Sequence, residues 1–216
     1  MPYGVWKNIH RMEGKIIPKL AEDMLEWGIH PPMLKEWTGI ILPKRGKKDY
    51  TECASFRVIA LIQTFSKIVE RIVNKRLMGI AYKENMYCIN QTRSIPQRST
   101  VDAALSLKDW IRESQFAGKK TSTVFLDVKG GFDNVNHSKL LDLVGADEKV
   151  PRYLVNWISN FIQTRQIPLA YPGSPRTSNL VDRGIPQGSP LSPLLFVMYV
   201  RALHPNAEHP DIFTSS

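Results

Sequence analysis

The 216-residue sequence predicts an α+β fold. Helical and strand patterns are grouped along the chain and do not alternate as a doubly wound βα repeat would. Helices and a hairpin come first, followed by a strand, two helices, short strands and a last helix. The second observation is the strong helical periodicity of residues 65–77. The third is a hydrophobic content of 43%, enough for the core of one domain, or of one domain plus part of another.

Each element has its own signal. From Met12 to Trp27, Ile16, Ile17, Leu20, Met24 and Leu25 recur close to helical spacing, and Pro31-Pro32 ends the pattern. Trp37 to Leu42 and Phe56 to Ile62 are apolar strands around the basic stretch Pro43-Lys-Arg-Gly-Lys-Lys-Asp49, which predicts a hairpin with a basic tip. In the helix over 65–77, Phe65, Ile68, Val69, Ile72, Val73 and Leu77 share one face. Lys67, Arg71 and Lys75 follow at four-residue steps on another. A solvated face explains such a stripe more readily than direct RNA contact.

Residues 90–100 are polar and irregular. A helix is expected from Thr100 to Phe116, capped by Ser99 or Thr100. Gly118-Lys-Lys then turns the chain into a predicted strand from Ser122 to Asp127. Helices follow over His137–Val144 and Pro151–Ile162, the latter with proline near its first turn. Ile167–Ala170 and Asn179–Asp182 are short strands around Pro172-Gly-Ser-Pro175, and a final helix runs from Ser189 or Ser192 to Ala202. There is no internal repeat and no low-complexity tract.

Lys and Arg outnumber Asp and Glu by 29 to 20, a net charge of +9, which points to a polyanionic partner with nucleic acid first. Cys53 and Cys88 belong to no C-x-x-C pair, so neither a disulfide framework nor a zinc knuckle is expected, and a reducing compartment is. His204 and His209 sit among prolines that favour a loop over a metal cluster. The longest apolar run, Leu194–Val200, is too short to span a bilayer, and the N-terminus carries no apolar signal region. No membrane partner is expected.

Two strings carry the chemistry. The first is Val124-Phe-Leu-Asp-Val-Lys-Gly-Gly-Phe-Asp133. In a strand over 121–127, Thr123, Phe125 and Asp127 share a face, which puts Asp127 at the strand mouth, where a carboxylate can hold a hard cation. Two Mg2+ ions there would activate a 3′-hydroxyl and neutralise leaving pyrophosphate. A strand-ending Asp on its own is more often a cap or turn residue. Asp133 reads as structural, because Asp133, Asn134 and Asn136 all suit a helix N-cap. An aspartyl-phosphate chemistry of the haloacid-dehalogenase kind is excluded, since Lys129 stands where the second Asp would be needed. The second string is Gly184-Ile-Pro-Gln-Gly-Ser-Pro-Leu-Ser-Pro-Leu-Leu-Phe196, a tight turn with a glutamine directly before an apolar helix.

In this order, some sixty residues apart, the two strings resemble reverse transcriptases of the non-LTR retrotransposon type. Phe56-Arg-Val-Ile-Ala-Leu-Ile62 and Lys67-Ile-Val-Glu-Arg-Ile-Val-Asn-Lys-Arg-Leu77 resemble the fingers segment of the same enzymes. The resemblance implies that Asp127 binds both catalytic Mg2+ ions and that the main-chain carbonyl of Val128 is a further ligand. Phe132 would lie under the nucleotide sugar and exclude a 2′-hydroxyl, with a core aromatic as the plain alternative. Gln187 would contact the incoming nucleotide near its 3′-hydroxyl, and Gly188 would let backbone approach the template–nucleotide pair. Arg57 would hold the triphosphate, helped by Lys44, Lys47 or Lys48. Asn90-Gln91 and Arg98-Ser-Thr-Val-Asp-Ala103 resemble the next block, along the template, with Arg98 as a phosphate contact. Lys67, Arg71 and Lys75 are the other nucleic-acid candidates.

The resemblance covers roughly residues 35–200. It implies part of a right-hand polymerase: an N-terminal helical extension (1–34), a fingers-like region (35–120) and a partial palm (121–216). Its partners would be an RNA template, a primer 3′-end and deoxynucleoside triphosphates, in an intracellular ribonucleoprotein of nucleus or cytoplasm. Gly131 stands where the family has Ala, and Arg93 where it has a small residue. The Tyr/Phe-Ala-Asp-Asp hairpin expected after the last helix is replaced by Leu203-His-Pro-Asn-Ala-Glu-His-Pro-Asp-Ile-Phe-Thr-Ser-Ser216, in which Asp211 has no second Asp beside it. The expectation is a truncated product without polymerase activity of its own. The alternative is a non-catalytic nucleic-acid-binding fragment that keeps the groove.

Overall fold

The computed structural model describes residues 3–84, 86, 92, 98–125, 127–146, 148–163, 165–170 and 177–201. Of the sequence candidates, Cys88, Asn90, Gln91, Arg93, Leu126, the Pro172–Pro175 turn and the tail with His204, His209 and Asp211 lie outside them.

The chain opens with two helices, where the periodicity predicted a single one from Met12 to Trp27. Helix α1 (Tyr3–Met12) ends before a turn at Gly14, and α2 begins at Ile16 and runs to Glu26. Trp6 of α1 stacks on Phe65 with ring centroids 4.7 Å apart, which fixes α1 against the later helix that carries Phe65. Helix α2 ends before the expected Pro31-Pro32 stop, at Gly28 with φ 65°, where the Gly28 and Ile29 amides donate to the Leu25 and Met24 carbonyls. The prolines instead start a single helical turn, α3 (Pro32–Lys35).

Strands β1 (Thr38–Pro43) and β2 (Phe56–Leu61) form the predicted antiparallel hairpin, with Ile40 opposite Ile59 and Leu42 opposite Arg57. Its basic tip is internally bonded. Asp49 Oδ1 accepts from both the amide and the hydroxyl of Thr51 at 2.7 Å, Tyr50 donates to the Lys44 carbonyl, and Lys44 Nζ donates to the Ala54 carbonyl at 3.0 Å.

Helix α4 (Thr64–Lys83) supplies the centre of the core. Val69, Val73 and Leu77 are completely buried, each contributing roughly 1.5–3 kcal/mol by leaving water. Helix α7 (Arg152–Ile162) adds the buried Leu154, Trp157, Ile158 and Phe161. Between α4 and α7 lie α5 (Thr100–Phe116) and α6 (His137–Gly145). Ser99 and Asp102 make a reciprocal capping box at the start of α5, which has no buried residue. Asn136 caps α6 by accepting from the Lys139 amide at 2.9 Å.

After α7 come β3 (Arg165–Ala170), β4 (Thr177–Val181) and α8 (Ser192–Arg201). The four strands form one sheet in the order β2-β1-β3-β4, with β1 and β3 parallel and the other pairs antiparallel. This mixed sheet with helices against it is the α+β class read from the sequence.

One predicted strand is absent. Described residues of the segment 121–127 carry no ladder, and Val124 and Phe125 are 78% and 82% exposed. Alternation of side chains prepares a strand, but backbone pairing with a neighbour makes one, and the four paired strands all lie elsewhere.

Candidate nucleotide site

The Gly184–Ser189 turn is held at several points by parts of the chain remote in sequence. The Gly184 amide donates to the Val135 carbonyl at 2.7 Å, and the Ile185 amide to the Phe132 carbonyl at 2.8 Å. On its other side the Gln187 carbonyl accepts from the Ala60 amide at 2.8 Å, so the turn occupies part of the outer edge of β2. The two strings expected to carry the chemistry therefore meet each other and the predicted fingers hairpin.

Glycine is required twice. Gly184 has φ 84°, and a Cβ there would stand 2.8 Å from the Asp133 carbonyl oxygen. Gly188 has φ 116°, and its Cβ would stand 2.8 Å from the Ala60 carbonyl oxygen. Ile59 Cγ2 lies 3.7 Å from that same point. Arg57 and Ile59 alternate onto one face of β2, so exposed Arg57 shares the face that borders the turn.

Gln187 is half-buried and its Nε2 donates to Asp133 Oδ1 at 3.2 Å. Asp133 thus holds the glutamine while Asn136 takes the cap of α6. Phe132 is half-buried and packs on Phe196 of α8 with centroids 5.0 Å apart. The same ring accounts for Gly131: an alanine Cβ there would stand 2.6 Å from Phe196 Cζ, and the ring would have to move.

Beneath the turn lie charges that no sequence pattern singled out. Arg165 at the start of β3 is 1% exposed. Its Nη2 donates to the Gly184 carbonyl at 2.7 Å and its Nε to the Ile162 carbonyl at 2.8 Å, while the guanidinium covers the Trp37 ring at 4.7 Å. Burial pulls it down to about 9, against the attraction of Glu70, so it is a cation at neutral pH. His137 Nε2 shares the Gly184 carbonyl at 2.8 Å. Burial first, and the nearby Arg165 charge after it, lower the His137 pKa.

Glu70 of α4 is wholly buried. Its Oε1 accepts from the Ser66 hydroxyl at 2.8 Å and its Oε2 from the Ser189 hydroxyl. Ser189 Oγ in turn accepts from the amides of Leu191 and Ser192, the entrance to α8. Burial raises the Glu70 carboxyl, opposed by the hydrogen bonds from Ser189 and Ser66. His30 Nε2 lies 3.3 Å from Ser66 Oγ, and burial pushes His30 down to about 4, so it is neutral at pH 7. Position alone held a clue to Glu70: it continues the stripe of Ser66, Val73, Leu77 and Ala81 at steps of three and four, all buried.

The remaining candidates are less gathered. Asp127 and Val128 are exposed, outside any strand, since the strand meant to carry them is unpaired. A carboxylate and an adjacent carbonyl are hard oxygen donors that suit Mg2+, which keeps waters and substrate phosphates in its shell. Among the described residues no three His, Cys, Asp or Glu side chains are grouped to hold a metal. Lys67 is half-buried and Arg71 and Lys75 are exposed along one side of α4, while Arg98 is exposed just before the α5 cap. Lys44 is engaged within its loop, whereas Lys47 and Lys48 are exposed at the hairpin tip. No described helix is long and apolar enough to cross a membrane.

Comparison with known proteins shows the family. The family model for "Reverse transcriptase (RNA-dependent DNA polymerase)" matches residues 42–212. The chain is 28% identical over 178 residues to the probable RNA-directed DNA polymerase from transposon BS of Drosophila melanogaster, covering 81% of this chain and 19% of that protein. It is 29% identical over 166 residues to the Pol polyprotein from the type-1 retrotransposable element R2 of Popillia japonica, covering 74% and 22%. Against the RNA-directed DNA polymerase from mobile element jockey of Drosophila melanogaster the identity is 26% over 188 residues, covering 83% and 19%. The chain spans about a fifth of the length of these curated relatives.

Proposed function

This chain belongs to the reverse transcriptase (RNA-dependent DNA polymerase) family of non-LTR retrotransposons, and we propose that it supplies the fingers and the N-terminal palm of such a polymerase. Residues 35–120 form the fingers part, 121–216 the partial palm and 1–34 a helical extension. The reaction is template-directed addition of a deoxynucleotide to a primer 3′-end on an RNA template, in an intracellular ribonucleoprotein.

The observation that carries the proposal is the meeting of β2, the 130–137 segment and the Gly184–Ser189 turn. Gln187 and Gly188 face the incoming nucleotide, Gln187 with its amide set by Asp133. Gly188 lets the backbone approach the base pair, and the packing against β2 also demands glycine there, because a Cβ would meet the Ala60 carbonyl. Arg57, on the face of β2 beside the turn, receives the triphosphate by charge-assisted hydrogen bonds. Phe132, fixed by Phe196, forms the floor under the sugar. Lys67, Arg71, Lys75 and Arg98 hold nucleic-acid phosphates, a contact that positions without reading sequence. Asp127 and the Val128 carbonyl hold Mg2+, which when bound activates the 3′-hydroxyl and neutralises pyrophosphate.

The test is a ternary complex: the chain, an RNA template annealed to a DNA primer, Mg2+ and one deoxynucleoside triphosphate. A complementary nucleotide should tighten retention of primer–template and a mismatched one should not.

The exposure of Asp127, with no three His, Cys, Asp or Glu side chains grouped to hold a metal among the described residues, favours a second reading. In it the chain binds nucleic acid without chemistry. It would retain primer–template equally with either nucleotide.

A further inference from the structure

We infer that Glu70 and Arg165 are positioning residues that brace the two ends of the Gly184–Ser189 turn from inside the core. The inference rests on the polymerase reading for its purpose and on geometry for its substance. Arg165 takes the leading end: its Nη2 donates to the Gly184 carbonyl at 2.7 Å, and its Nε is tied to the end of α7 through the Ile162 carbonyl. Glu70 takes the trailing end: it accepts the Ser189 hydroxyl, which in turn accepts the Leu191 and Ser192 amides. Among the described residues the two charges make no direct ion pair with each other. Each instead turns its hydrogen bonds to the turn or to what supports it.

Buried charges of this kind are costly to place, and core packing alone is served as well by apolar residues. A buried charge does one thing an apolar side chain cannot: it fixes the direction of hydrogen bonds to particular backbone and hydroxyl groups. Here those groups flank Gln187 and Gly188, the two residues proposed to meet the nucleotide. The brace also spans the molecule. Glu70 is on the fingers helix α4 and Arg165 is on β3, which pairs in parallel with β1 of the fingers hairpin.

Amide hydrogen exchange of the 216-residue chain tests this. The variants are Glu70→Ala, Glu70→Gln, Ser189→Ala and Arg165→Met, with Leu77→Ala as a core control on the same helix. Glu70→Ala and Ser189→Ala should speed exchange at Ser189, Leu191 and Ser192 at least about tenfold beyond any global change. Arg165→Met should do so at Gly184 and Ile185. Leu77→Ala should shift all slow amides together. Glu70→Gln, which keeps an acceptor, should recover most of the local protection and most of the nucleotide affinity that Glu70→Ala loses. If the turn amides in Glu70→Ala and Ser189→Ala follow the global pattern of Leu77→Ala, the brace is refuted. Wild-type chain that binds no nucleotide would instead remove the polymerase reading, and the exchange pattern would still decide the brace.

Discussion

Gln187 Nε2 donates to Asp133 Oδ1 across 3.2 Å, joining residues 54 positions apart on the two strings proposed to carry the chemistry. The bond sets the direction of an amide whose proposed partner is the nucleotide. Asp133 is exposed, so Asp133→Ala should change folding stability by less than about 0.5 kcal/mol. It should weaken nucleotide binding by roughly three- to tenfold, the range of one hydrogen bond. Gln187→Ala should weaken all nucleotides, and adding Asp133→Ala to it should change little further. A double-mutant cycle on nucleotide affinity checks this, and additive losses would show that the two side chains act separately.

Phe132 should matter twice. Phe132→Val removes the ring that packs on Phe196 and should cost about 1–3 kcal/mol in urea unfolding. It should also open space beside C2′, so that ribonucleotide affinity rises relative to the matched deoxynucleotide. A ribo-to-deoxy ratio equal to wild type would leave the ring as core only.

Binding to RNA should be governed by phosphate contacts and fall steeply with salt. Replacing the exposed Lys47 and Lys48 together by Ala should reduce the slope of log K against log salt by up to about two. Lys44→Ala should act mainly by loosening the hairpin tip, because Lys44 Nζ is bonded to the Ala54 carbonyl. Titrations at several salt concentrations separate the two effects.

Stability should fall on mild acidification because of His30. Its folded pKa, about 4, lies below the ordinary 6.5, so the unfolded chain takes up a proton first. The contribution is complete above pH 6.5 and is lost as pH falls toward 4, by about 3 kcal/mol in all. Glu70, whose carboxyl is raised, works in the opposite sense: its destabilisation grows as pH rises above the ordinary carboxylate range. Comparing wild type with His30→Gln by urea unfolding from pH 4 to 7.5 cancels the Glu70 contribution. The difference between the two should shrink with falling pH. A constant difference would mean that His30 titrates normally.

Local pattern made much of this architecture legible. The stripe of α4, the Ser99–Asp102 box of α5 and the hairpin over 38–61 each depend on residues close in sequence. The turn at Gly184 and Gly188 was legible because only glycine meets its backbone demands. Helix α1 escaped because it lies upstream of Met12, where the periodic run read as a helix begins. The strand expected over 122–127 failed for a different reason: its alternation is real, and pairing is a property of the partner. Glu70 and Arg165 escaped because a charged side chain reads as solvent-facing until its distant acceptors and donors are known. Their partners Ser189 and Gly184 lie 119 and 19 residues away.

The turn at Gln187 and Gly188, flanked by Arg57 and Phe132, is proposed as the nucleotide site of a reverse transcriptase. The direct measurement is the affinity of the chain, bound to an RNA template with a DNA primer in Mg2+, for the deoxynucleoside triphosphate complementary to the next template base. Binding should be saturable, favour the complementary base and weaken at least about tenfold in both Arg57→Ala and Gln187→Ala, with primer–template affinity little changed by Gln187→Ala. Binding of equal strength for every base, or unaltered in both variants, would contradict that assignment.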